Sequence, residues 1–280
     1  IHGHFYQPPR ENPWLEEIEI QESAFPYRDW NEKITQECYA ANSLCRFVDP
    51  EKKSIDIVNN YAKISFNFGP TLLSWMEQKH PEVYQAILKA DKESQRNFSG
   101  HGAALAQAYN HIIMPLANKK DKETQVVWGL KDFEYRFKRK PEGMWLPETA
   151  VDLETLEILS QHHIQFTILS PHQARSVKAL YENEWKDVGG GRIDPHQPYL
   201  CHLPSGRSIV LFFYEGSVSH DVAFGDLLKN GEEFARRLVV APAHQPKDPY
   251  LRHIATDGET YGHHHPFGDM ALAHCLDYIQ

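Results

Sequence analysis

Three short stretches gather side chains of types that do chemistry. The first is Gly143-Met144-Trp145-Leu146-Pro147-Glu148. A carboxylate directly after a strand-ending proline sits on stiff backbone, and Trp145 beside it offers an apolar wall or a stacking platform for a sugar ring. The plainer alternative is that Glu148 caps a helix beginning near Val151. The second stretch is Ala255-Thr256-Asp257-Gly258-Glu259-Thr260-Tyr261-Gly262-His263-His264-His265. It places one acid at a strand end, a glycine for a tight turn, a second acid and then three histidines. A solvated loop, or a histidine tract with unspecific metal affinity, would have the same composition. The third is His2-Gly3-His4, followed by Gln7-Pro8-Pro9. Histidines at i and i+2 of a strand share one side, where they orient a substrate hydroxyl or bind a metal. Two packed, hydrogen-bonded histidines would look alike in sequence.

The elements that must carry these residues are short apolar runs ending in polar groups. Such runs are Ile1–Phe5, Lys63–Asn67, Arg96–Ser99, Gly143–Leu146, Gln165–Leu169, Ile209–Tyr214 and Leu251–Thr256, with Arg96–Ser99 the weakest. They are rich in β-branched and aromatic residues and do not alternate cleanly, as expected of strands buried on both faces. Between them lie helical patterns over Asn31–Phe47, Thr71–Gln78, Pro81–Asp91, Ala103–Leu116, Lys122–Phe137, Val151–His162, Pro171–Leu180 and Phe224–Val240. Strand–helix alternation predicts parallel βαβ units, and seven strands fit a closed or nearly closed α/β barrel. In such a barrel the chemistry sits where strands end. His2, His4, Asn67, His101, Glu148, His172, Glu215 and Asp257 all fall inside or just after the end of an expected strand. Tyr199–Leu203 reads as an antiparallel partner of Ile209–Tyr214, and Asn12–Asp29 as a long binding-wall loop.

Composition sets outer bounds. The 280 residues, 41% hydrophobic and 24% charged, suit a soluble globular chain; a prior of roughly 150 residues per domain suggests about two domains, whereas an α/β barrel would form a single domain spanning 1–280. No apolar run approaches the roughly 18 residues of a membrane span. A net charge of −9 argues against a nucleic-acid partner. The 17 His, 6 Trp, 13 Tyr and 14 Phe suit stacking on, and hydrogen bonding to, neutral polar ligands such as sugars. Four cysteines without a CxxC pair point to a reducing cytoplasm. No cofactor is expected, and nothing bears on oligomeric state. Ile1 rather than Met opens the sequence and no signal-peptide pattern follows, so the chain is read as trimmed.

HGHFYQPP, GMWLPE and ATDGETYGHHH, in that order, together with LFFYEGSVSHDVAF over Leu211–Phe224, resemble the ordered motifs of glycoside hydrolase family 57. The resemblance runs from Ile1 to about Gly268. It implies a distorted (β/α)7 barrel with long loop insertions that cleaves or transfers α-glucan chains with retention of configuration. By motif position Glu148 is the implied nucleophile and Asp257 the implied general acid/base. The expected substrate-binding shell is His2, His4, Gln7, His101, Trp145, His172, Glu215, Glu259 and His263. Retaining hydrolysis needs two carboxyl groups about 5–5.5 Å apart, one ionised and one protonated. Tyr6, Trp14, Phe25, Tyr27 and Tyr261 would add stacking surface. The sequence also departs from the family pattern. His-x-His-Gln-Pro is spread to His-Gly-His-Phe-Tyr-Gln-Pro, and Gly100-His101-Gly102-Ala103-Ala104 lacks the acid of the second motif. Tyr214-Glu215 and Ser219-His220 replace Arg-Asp and Ser-Asp pairs. Two other functions share these residues. One is a metal-dependent carbohydrate hydrolase or deacetylase using His2, His4, Asp257 and His263. The other is a glycan-binding protein with a degenerate site.

Overall fold

A computed structural model describes residues 1–48, 54–239 and 250–279. The fold is mixed α/β, and the chain divides into two compact units, each drawn from separated segments. One comprises the described residues within 2–104, 220–239 and 256–280; the other comprises Ile1, 105–219 and the described residues within 240–255.

In the first unit, strand His2–Phe5 lies between Ala255–Asp257 and Ser65–Phe68. It pairs in parallel with the latter in the register His2↔Ser65, Gly3↔Phe66, His4↔Asn67 and Phe5↔Phe68. An aromatic core lies beside this sheet. Phe5 stacks on Phe68 at 4.6 Å between centroids and meets Tyr61 edge-on at 5.3 Å. Burying such rings is worth roughly 1.5–3 kcal/mol each. Pro70–Lys79 and Pro81–Asn97 begin on prolines, which have no N–H to leave unpaired in a first turn. Asp29 caps Trp30–Ile34 through the Glu32 N–H at 3.0 Å; that helix widens into a π-turn over Thr35–Tyr39 before ending at Ala40–Ser43.

In the second unit, Ala106–Gln107 pairs in parallel with Met144–Trp145, and a parallel bridge joins Gly143 to Phe166. Phe166–Leu169 pairs in parallel with Ser208–Phe213, whose other edge carries the antiparallel strand Tyr199–His202. Leu105, Trp145, Ile168 and Ala255 form one buried apolar cluster in it, with Phe166, Phe212 and Tyr214 against them. Helix Lys119–Phe137 is capped by Asn118, and Leu153–Gln161 by Asp152.

Several expectations are corrected. Of the expected strand Arg96–Ser99, Arg96 and Asn97 finish the helix Pro81–Asn97 and Phe98 and Ser99 lie in the turn after it; the strand lies further on, at Ala106–Gln107. Ala103–Leu116 is not an α-helix: a two-residue buried strand, loops and a 3₁₀ turn over Met114–Leu116 replace it, because parallel pairing overrides the helical preference of its alanines. Pro171–Leu180 shortens to a 3₁₀ turn over Pro171–Gln173, and Ser176–Val177 becomes a strand paired with Lys186–Asp187. Asn31–Phe47 stops at Ser43 and continues as strand Cys45–Val48. The pattern read over Phe224–Val240 is the end of one helix, Gly216–Phe224, and a second, Gly231–Val239. Asn230 starts the second helix by accepting the N–H groups of Glu232 and Glu233 at 3.0 and 3.1 Å. Val240 lies outside the described residues.

Candidate active site

Glu148 follows strand Met144–Trp145 after Leu146 and Pro147. It does not cap the next helix; Asp152 does, accepting the Thr155 N–H at 2.8 Å. Lys122, buried, anchors the same Asp152 at 2.6 Å and Glu154 at 2.9 Å. The Glu148 backbone has φ 55° and ψ 18°, and Thr149 follows at φ 52°. Two successive non-glycine residues in the left-handed region, one β-branched, cost on the order of 1–3 kcal/mol each. Hydrogen bonds from Thr149 N to Leu146 O at 2.9 Å and from Ala150 N to Pro147 O at 3.1 Å hold the turn closed. Its consequence is an exposed carboxylate directly beyond the strand end. Trp145 is turned inward at 6% exposure and belongs to the apolar core, so it is a wall and not an open platform.

Asp257, also exposed, ends its strand in the other unit and leads into a 3₁₀ turn, Gly258–Thr260. Gly258 has to be glycine: a Cβ there would meet the Phe5 ring at 2.2 Å. The π-turn of the first helix docks on this segment. At ordinary helical spacing Glu37, Cys38 and Tyr39 would point in diverging directions. In the widened turn all three reach it, a placement π-bulges often serve. Tyr39 Oη donates to Glu259 Oε1 at 2.5 Å, Cys38 Sγ donates to Gly258 O at 3.4 Å, and Glu37 Oε2 meets His263 Nδ1 at 2.5 Å. Gly262, at φ +151°, lets the chain pass within a Cβ clash of Glu37 O. Glu259 is buried and accepts the Tyr6 N–H at 3.1 Å. Burial pushes its carboxyl up to about 7; the Tyr39 hydrogen bond opposes this and the charge of Asp257 adds to it. Tyr261, expected as a stacking surface, is fully buried, its Oη accepting from Thr256 Oγ1 at 3.2 Å.

On strand His2–Phe5 the two histidines do share one side, and the neighbouring strand sets their contacts. His2 meets Ser65 Oγ through Nδ1 at 2.9 Å and Asn67 Oδ1 through Nε2 at 3.0 Å. Asn67 Nδ2 donates to His4 Nδ1 at 2.9 Å. His4 lies parallel to Tyr6 with centroids 6.2 Å apart. Gln7 is buried and accepts from Arg10 Nη2 at 2.8 Å.

The remaining expected residues fall in three places. His101 is exposed and precedes strand Ala106–Gln107, so it does not stand at a strand's C-terminal end. His172 is exposed on the turn after Phe166–Leu169, against Gly191. Glu215 stands at the end of Ser208–Phe213, its Oε2 3.2 Å from Arg252 Nε and 3.7 Å from His196 Nε2; His196 also meets Asp194 at 2.9 Å. Sequence reasoning set Asn67 at a strand end without giving it a partner, and left out Tyr39, His196 and Arg252. Among the described residues no group of three or more His, Cys, Asp or Glu is arranged to hold a metal ion. Of the alternative ligand set, His2 is bound up with Ser65 and Asn67, and His263 with Glu37.

Comparison with known proteins gives the family and the fold. The family model described as Glycosyl hydrolase family 57 matches residues 2–275. Alpha-amylase 1 of Dictyoglomus thermophilum is 26% identical over 106 residues, 38% of this chain and 15% of that protein. An exo-type maltose-forming amylase from Pyrococcus sp. ST04 superposes with a TM-score of 0.65 at 16% identity, covering 99% of this chain and 45% of that one. A GH57-type branching enzyme from Pyrococcus horikoshii gives 0.60 at 15% identity, over 98% and 66%. The two structural likenesses are of fold, and the chain spans only part of the proteins it matches. Among the described residues no helix is long and apolar enough to cross a membrane.

Proposed function

Because the chain belongs to glycosyl hydrolase family 57, we propose that it is a retaining glycosidase or transglycosylase acting on α-linked glucan, built as one distorted (β/α)7 barrel domain over 1–280. Parallel strand pairs flanked by helices, and the similarity in fold to an amylase and a branching enzyme, support the architecture.

Glu148 is the nucleophile and Asp257 the general acid/base. A Glu148 oxygen attacks the anomeric carbon while the protonated Asp257 gives its proton to the departing glycosidic oxygen. Asp257 then takes a proton from water, or from a sugar hydroxyl, as that oxygen attacks the same carbon from the other side and releases Glu148. Water gives hydrolysis and a sugar acceptor gives transfer. His2, His4, Gln7, His172, Glu215 and His263 supply the polar shell around the sugar. Glu259 positions the Asp257 turn from beneath, through Tyr39 and Tyr6.

The observation that carries the reading is the strained pair Glu148-Thr149. Left-handed backbone at a non-glycine acid persists only where the surroundings over-determine it, and such strain clusters at active sites. Here it presents an exposed carboxylate at a strand end while Asp152 takes the capping role. The test is incubation with maltooligosaccharides, amylose and a branched glucan, reading the anomer first formed by proton NMR. An α-anomeric product is expected. A β-anomer, or no turnover of any α-glucan, overturns the proposal.

A further inference from the structure

Beneath the Asp257 turn a chain of hydrogen bonds runs outward to Arg10, one residue past the stretch HGHFYQPP. Arg10 donates through Nη2 to Gln7 Oε1 at 2.8 Å and through Nε to Asn31 Oδ1 at 3.2 Å. Gln7 and Asn31 are both buried. A guanidinium only donates, so Gln7 has to turn its oxygen to Arg10 and its nitrogen away. That nitrogen bonds the side chain of Tyr39, whose Oη lies 2.5 Å from Glu259 Oε1. All of these residues belong to the same compact unit.

The order of donors fixes the order of hydrogens. Tyr39 is 0% exposed, so its hydroxyl hydrogen has to go to a protein neighbour. An amide nitrogen donates only, so the hydroxyl accepts from Gln7 and gives its single hydrogen to Glu259. Glu259 Oε1 then accepts twice, from Tyr39 and from the Tyr6 N–H at 3.1 Å. A proton held by this carboxyl therefore sits on Oε2. Turned the other way, the Gln7 carboxamide would offer Tyr39 an oxygen, and two acceptors would compete for one hydrogen. The Arg10 guanidinium, itself anchored on Asn31, excludes that orientation because it would then face an amide nitrogen.

We propose that Arg10 is a positioning residue for the acid turn: by orienting the Gln7 carboxamide it commits the Tyr39 hydroxyl hydrogen to Glu259, the buried carboxyl on which the Asp257 turn rests. The service to Asp257 as an acid rests on the glycosidase reading; the hydrogen-bond chain does not. Besides Tyr39, the titratable groups facing Glu259 are Cys38 and Tyr61 from neighbouring segments and Asp257 on its own turn. Burial pushes the Cys38 thiol and the Tyr39 and Tyr61 phenols well up, so all three stay neutral while Glu259 titrates, and the charge of Asp257 opposes its ionisation. The Tyr39 hydrogen bond works in the other direction, favouring the carboxylate.

The test is a double-mutant cycle on the whole chain, read as the titration midpoint of Glu259 by ¹³C NMR of labelled glutamate carboxyls, with Glu259 assigned from a Glu259→Gln spectrum. Tyr39→Phe removes the donated hydrogen and is expected to raise the midpoint by about one pH unit. Arg10→Met releases Gln7 and is expected to raise it in the same direction, by no more than Tyr39→Phe does. In the Tyr39→Phe background Arg10→Met should then add nothing, because the hydroxyl through which Arg10 acts is gone. An equal rise from Arg10→Met with and without that hydroxyl would mean that Arg10 acts by its charge alone, and no rise in the single variant would mean that it does not act on Glu259; either result overturns the proposal. No substrate is present, so the cycle decides independently of the proposed activity. In kinetics on maltooligosaccharides, Arg10→Met is expected to lower kcat about tenfold and to leave KM within about twofold, since the disturbed turn carries a group of the chemical step. A raised KM with unchanged kcat would show that Arg10 serves sugar binding and not the acid turn, while leaving the glycosidase reading intact.

Discussion

At the end of strand Met144–Trp145 the constraint lies in the backbone: Glu148 and Thr149 hold left-handed dihedrals while the Glu148 side chain stays exposed. On strands His2–Phe5 and Ser65–Phe68 the backbone is ordinary and the constraint lies in the side chains, which are buried and hydrogen-bonded to one another. The contrast matches the roles proposed for the two regions. A nucleophilic carboxylate must reach a carbon atom, so partners that held it would compete with the substrate. An imidazole proposed to bind a sugar gains from fixed partners that hold its ring in one orientation.

The contrast breaks most sharply at the acids. Glu148→Gln is expected to lower kcat on maltooligosaccharides roughly ten-thousand-fold or more, since no second group can form the glycosyl bond. Its thermal unfolding should be nearly unchanged, because the side chain is exposed. Turnover within tenfold of wild type would remove Glu148 from the nucleophile role. Asp257→Asn is expected to cost about 10²- to 10⁴-fold on substrates with poor leaving groups. The cost should be far smaller on activated aryl glycosides, which leave without a proton. Equal losses on both would speak against proton donation.

Much of this was readable from residue order, and the limits of that reading are physical. GMWLPE and DGETYG are local: a strand end, a stiff or tight turn and an acid are adjacent in sequence, so the turn that follows each strand is readable from residue order. The shared side of His2 and His4 follows from the two-residue period of a strand. Their bridge does not, because Asn67 becomes a partner only through the register of two strands about sixty positions apart. The strand at Ala106–Gln107 was missed because two buried residues among alanines carry a helical signature. With it went the placement of His101. Glu259 and Tyr261 looked like loop residues; the π-turn that buries them has no sequence signature distinct from an ordinary helix.

Glu259 sharpens the comparison from the buried side. Its folded carboxyl titrates near 7, against an ordinary value of 4.5. Between those values the folded chain keeps a proton that the unfolded chain has released. Stability therefore falls as pH rises through that window and levels off above it, by on the order of 3 kcal/mol in all. Glu259→Gln stays neutral throughout. Urea unfolding at pH values spanning the window should show a decline in the wild type that is reduced in the variant. Identical slopes in the two proteins would mean that the carboxyl titrates normally and is not held by burial.

The smallest effect is expected where the strained turn is braced. Asp152 caps helix Leu153–Gln161 and also receives the buried Lys122 ammonium at 2.6 Å. Asp152→Ala loses the cap, worth about 0.5–2 kcal/mol, and leaves Lys122 with Glu154 alone. A total near 2 kcal/mol should appear in the urea midpoint. If the turn is held by the capped helix behind it, kcat should also fall, by roughly tenfold, because a displacement of about 1 Å at a reacting group is costly. Asp152→Asn keeps a capping oxygen and should recover most of the lost kcat. A variant that loses stability while keeping full kcat would show that the Leu146–Pro147 hydrogen bonds alone hold Glu148 in place, so that the strain is contained within the turn itself.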